Sequence, residues 1–171
     1  MIKKDIHEKH AIQIFFETIQ IIEDYGSFMA FMVMIILVNL AIFLRMTINF
    51  ESSSWEELAR FSSIWMYMLA IAVASHEDSH LRAGFLENYI HTKKSKYLLE
   101  IVFKIIMTIC IVIFTWWSIE QLNWIIASRQ KSLVLMLNMW TVYLAFVVGG
   151  IFVLLHTIYY LCFYIQQYLK S

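Results

Sequence analysis

Residues Ala74 to Phe85 read ASHEDSHLRAGF, and His76, Glu77 and His80 within them match H-E-x-x-H, the helical pattern by which metalloproteases hold zinc. Histidines four apart on a helix share a face, so His76 and His80 could bind one ion with Glu77 as general base. A catalytic zinc also takes a third protein ligand. His156, Asp78 or Glu87 could supply it, yet none belongs to a second protease motif. The Asp78-Ser79 pair places the pattern at a polar helix end rather than in a sheltered cavity. His76, His80 and His156 also allow a haem clamped between facing helices, as in small electron-transfer anchors. That reading rests on ligand type alone. A polar helix end with interfacial histidines accounts for the same residues, so no catalytic residue, cofactor or metal is expected. The haem anchor and the membrane metalloprotease stand as alternatives.

Two further sets of groups pair locally. Ser54 and Glu57 have capping-box spacing, and Glu56 and Arg60 have the favoured i,i+4 charge order, which predicts a helix starting at Ser54. Glu100 and Lys104 are also four apart, about one turn from a membrane surface to which Lys104 can snorkel. Beyond Lys104 come Thr108, Cys110, Thr115, Ser118 and Glu120. A proton or ion relay needs a chain of ionisable groups across the bilayer. These residues make no such chain, so this protein alone is not expected to conduct.

The elements that position these groups follow from composition. Of 171 residues 61% are hydrophobic and 15% charged, with no proline. Mean hydropathy is +0.68. A water-soluble domain of this size could not hide so much apolar surface. Four stretches approach the roughly 20 apolar residues of a bilayer span: Phe28 to Leu44, Phe61 to Ser75, Ile101 to Ile119 and Met139 to Leu161. Their apolar residues lack the alternation of a transmembrane barrel, so the expected fold is all-α with four transmembrane helices. Upstream, polar Lys9, Gln13, Glu17, Gln20 and Asp24 recur at helical spacing opposite Ile12, Phe15, Ile19 and Ile22. This predicts an amphipathic interfacial helix over residues 1–26, broken at Gly26 before a four-helix domain over 27–171. No cleavable signal precedes it.

Lysine and arginine excess marks the cytoplasmic side. With both termini inside, Lys3, Lys4, Lys9, Arg82, Lys93, Lys94, Lys96 and Lys170 face the cytoplasm, and only Arg45, Arg60, Arg129 and Lys131 lie outside. All six tryptophans then fall in the outer half, and most tyrosines gather at the inner side. Net charge is zero and no basic stripe appears, so nucleic acid is not an expected partner. Cys110 and Cys162 read as packing residues. Ala70 with Ala74, and Ala145 with Gly149 and Gly150, have the small-residue spacing that lets helices approach closely in lipid.

In order along the chain, Trp55 and Glu57 within WEELAR, Trp65, His80-Leu81-Arg82, Ser132, Met139-Trp140, Tyr143, Gly149-Gly150 and His156 resemble the small membrane subunit of tripartite ATP-independent periplasmic (TRAP) transporters, the DctQ-like family. The likeness covers roughly Asp24 to Leu161. Two features depart from it: Gly84 stands where relatives commonly carry an acidic residue, and Leu133 and Asn138 stand where prolines are common. Only His80 of the H-E-x-x-H pattern falls on a family position, which makes that pattern a coincidental spelling.

The resemblance implies a helper subunit of the inner membrane. Its partners would be a large membrane subunit, held as a stable heterodimer, a periplasmic solute-binding protein that docks transiently, and the lipid bilayer. The system would take up an organic acid, such as sialic acid or a C4-dicarboxylate, on a sodium gradient. Trp55, Glu57, Arg60, Trp65, His80, Arg82, Trp140, Gly149 and Gly150 would serve as interface or structural residues.

Overall fold

The computed structural model describes residues 2–48, 53–76 and 93–170. They form four helices: α1 over Ile2–Ile48, α2 over Ser53–His76, α3 over Lys93–Ser128 and α4 over Trp140–Lys170. Each is long and apolar enough to cross a membrane, and each matches one of the four expected spans, the fourth starting at Trp140, one residue later than expected. Among the described residues the only β-type pairing is one isolated bridge between Lys131 and Asn138. The protein is an all-α, multi-pass membrane protein. Its chain divides into two compact units, Met1–Val73 and Ala74–Ser171.

In the first unit α1 runs unbroken through Gly26, contrary to the expected break. Glycine inside a helix costs about 1 kcal/mol relative to alanine, which a helix tolerates when the missing side chain makes room. That is the case here. A β-carbon at Gly26 would lie 3.3 Å from Leu69 Cδ1 of α2. Just beyond, Asp24, Ser27, Phe28 and Phe31 of α1 and Met66, Ala70 and Val73 of α2 line an open groove of about 350 Å³.

The expected apolar face of the N-terminal segment is revised too. Ile19 is buried and Ile22 is exposed, while Glu23, four residues after Ile19, is fully buried. In lipid, apolar side chains gain nothing by turning inward, whereas an ionisable one must avoid hydrocarbon. The side chains of Ile12 and Phe15 lie outside the described residues. On α2 the buried small residues are Ala59, Ala72 and Ser75, and Ala70 and Ala74 are only half-buried.

The second unit is built on α3 and α4. Along α3, Lys104, Thr108, Ile111, Thr115, Ser118, Leu122 and Ile125 alternate steps of four and three and are all buried or half-buried. Along α4 the buried line runs through Val142, Ala145, Gly149, Val153 and His156. A seven-residue repeat of this kind keeps one seam facing a partner helix. Phe114 and Phe146 meet edge to face across it, with ring centroids 6.5 Å apart.

Candidate functional site

The α3–α4 pair packs tightly at Gly150. A β-carbon there would stand 2.7 Å from Thr115 Oγ1 and 3.5 Å from Thr115 Cβ. Thr115 is β-branched and donates its hydroxyl to the Ile111 carbonyl at 2.8 Å, so it has little freedom to withdraw. Without hydrophobic drive between helices in lipid, such close backbone packing is a main source of association.

Toward the α3 N-terminus the seam becomes polar. Lys104 is 5% exposed, and its ammonium lies 5.0 Å from the centre of the Tyr160 ring. The sequence expectation that Lys104 snorkels to the surface is therefore revised: an aromatic face on α4 receives the charge within the pair. His156, one turn before Tyr160, and its neighbour Thr157 are each 1% exposed on the same helix.

The other end of the pair is a tightly bonded connection. Arg129 N–H donates to the Ile126 carbonyl and Gln130 N–H to the Ile125 carbonyl, with Arg129 at a φ of 49°. This is a Schellman C-cap with arginine in the left-handed position that usually takes glycine. Ser132 then ties the loop. Its N–H donates to the Leu137 carbonyl at 2.8 Å, and its buried hydroxyl accepts from Leu137 N–H at 3.1 Å. Met139 N–H donates to the Gln130 carbonyl at 3.0 Å, and Met136, at a φ of 54°, turns the chain between them.

Several hydroxyls within the spans turn back on their own helices. Thr108 donates to the Lys104 carbonyl, Ser118 to Phe114 and Thr157 to Val153, each one turn back on its own helix. On α1 and α2, Thr18, Thr47 and Ser63 do the same. A hydroxyl that returns to its own helix is satisfied without water or a neighbour. Among the described residues no three metal-ligating side chains gather.

Residues 34–166 match the family described as tripartite ATP-independent periplasmic transporters, DctQ component. The chain belongs to the DctQ family. No curated protein matches its sequence. As a DctQ component it is a small membrane subunit of a tripartite transporter, and the family is one of transporter subunits rather than enzymes. The match spans the last third of α1, all of α2 and α3, and most of α4.

Within this DctQ chain the sequence-selected residues scatter. Trp55 and Glu57 are half-buried in the first turns of α2, Arg60 is exposed and Trp65 is half-buried. At about 100° per residue these four wind around the helix rather than share one face. Trp140 opens α4 and is partly exposed. Gly149 and Gly150 are buried, and Gly150 packs against α3. His80 and Arg82 lie outside the described residues, as do Glu77 to Ser79 of the H-E-x-x-H pattern. Sequence reasoning missed the burial of Glu23 and Lys104. A heptad count back from Thr115 could have found the second, since it places Thr108 and Lys104 on the seam.

Proposed function

We propose that this DctQ component packs laterally on a large membrane subunit as a stable heterodimer and enlarges its stationary scaffold. The large subunit then carries an organic acid, such as sialic acid or a C4-dicarboxylate, on a sodium gradient. A periplasmic binding protein delivers that acid in a transient encounter. Both termini lie on the cytoplasmic side of the inner membrane, as the lysine and tryptophan distributions favour. The observation that carries this reading is the amount of apolar helix left uncovered. In the most apolar window of α1 only 6% of residues are buried, and in that of α3 only 11%, against 44% for α4. On α3 and α4, Thr108, Thr115, Ser118 and Thr157 bond back to their own helices, which supports leaving the transport site to the large subunit.

Trp55, Glu57 and Arg60 lead into α2 at the outer surface in this topology, where they contact the large subunit or the docked binding protein. His80, Arg82 and Trp140 serve as further anchors at the membrane boundaries. Replacing Trp55, Glu57 or Arg60 by alanine should reduce co-purification of the large subunit or substrate uptake by whole cells. Wild-type values in all three variants would remove the proposed contacts.

A further inference from the structure

The connection between α3 and α4 carries exposed aliphatic side chains. Leu133 is 93% exposed and Met136 65%, with Val134 and Leu137 also exposed. Patches of this kind on an ordered loop mark a surface that meets something other than water. The loop has the means to meet lipid. Its Ser132, Leu137 and Met139 N–H groups are bonded within the loop, which lowers the cost of bringing this segment to the bilayer boundary.

Depth agrees. From Lys104 to Trp124 on α3, and from Trp140 to Tyr160 on α4, lie two intervals of about 20 residues, each about 30 Å at helical rise and equal to the hydrocarbon core. Lys104 and Tyr160, paired at 5.0 Å, mark one boundary, and Trp124 and Trp140, both exposed, mark the other. The loop begins about five residues past Trp124, so it lies in the headgroup layer.

We propose that this loop is a membrane-interface anchor: Leu133, Val134, Met136 and Leu137 dip into the headgroup–acyl boundary while Arg129 and Lys131 bind lipid phosphates. The chemistry favours lipid over a protein partner. Protein hot spots favour tryptophan, tyrosine and arginine, whereas leucine and valine are under-represented in them. Exposed Arg129 and Lys131 at the loop's base suit an anionic headgroup plane. The anchor holds the outer end of the helix pair at fixed depth, whatever the large subunit does beside it.

The test labels the full chain in lipid nanodiscs, alone and with its large subunit. Cys110 and Cys162, both exposed, are first replaced by serine. A Leu133→Cys variant is then labelled with an environment-sensitive fluorophore, with Met136→Cys as a second position should the first fail to fold. Phosphatidylethanolamine–phosphatidylglycerol discs are compared with the same discs carrying acyl-brominated lipid. Blue-shifted emission, quenched by the brominated lipid in both preparations, is expected. Water-like, unquenched emission would overturn the proposal. So would emission shielded only when the large subunit is present and untouched by bromine, which would make the loop a protein contact.

Discussion

At position 150 the deciding distance is the 2.7 Å between an added β-carbon and the Thr115 hydroxyl. The Thr115 side chain is held by its own bond to Ile111, so the two backbones must separate. Gly150→Val should therefore destabilise the chain by about 1–3 kcal/mol, the usual range for overpacking. Thr115→Ala should recover part of the loss when combined with Gly150→Ala, and thermal unfolding of the four proteins in detergent would measure both effects. The Lys104–Tyr160 contact makes a different prediction. Tyr160→Phe keeps the ring face and Tyr160→Leu removes it, so the leucine variant should be less stable than the phenylalanine variant by about 1–2 kcal/mol. Equal stabilities in the same melts would show that the ring face contributes nothing. Lys104 was legible in the sequence as an ionisable residue in a span, but its direction was not. A lysine one turn from a surface can reach out or in, and the choice depends on an aromatic ring that lies on another helix.

Among the elements, α3 ends with an arginine where its cap geometry suits glycine. The left-handed conformation costs a side-chain-bearing residue roughly 1–2 kcal/mol. Arg129→Gly should thus raise stability by about 1 kcal/mol in a detergent melt, and an unchanged or lower value would show that the Arg129 side chain offsets the strain. The four spans were readable because long apolar runs are an unambiguous signal. The start of α2 was readable from Ser54, Glu56 and Glu57, and the helix begins one residue earlier, at Ser53. The seam between α3 and α4 was only partly readable. Ala145, Gly149 and Gly150 announced one side, but Thr115 looked like any hydroxyl in a span. When a helix is apolar all round, no polar contrast marks its packed face. The same cause hid the continuity of α1, since whether Gly26 breaks or permits packing depends on Leu69.

At the scale of the whole molecule, the described residues of this DctQ component offer a packed α3–α4 seam and, between α1 and α2, an open groove. Its open groove of about 350 Å³ is lined by Phe28, Phe31, Met66, Ala70 and Val73, with only Asp24 and Ser27 polar. Transporter sites are instead built from interrupted helices whose free backbone groups meet the substrate near the bilayer midplane. The chain reconstituted alone in vesicles should therefore show no organic-acid uptake under a sodium gradient. Uptake should appear once the large subunit and binding protein are added, and radiolabel accumulation would distinguish the two conditions. The candidate residues were least legible at this scale, because Trp55, Glu57, Arg60 and Trp65 derive any shared role from a neighbour the sequence does not contain.

The inward-turned hydroxyls of Thr108, Thr115, Ser118 and Thr157 have an electrical consequence as well. With those protons given to their own backbones, the four hydroxyls are not free to donate to a file of water along the α3–α4 pair. The proposed coupling to an ion gradient is thereby left to the larger companion.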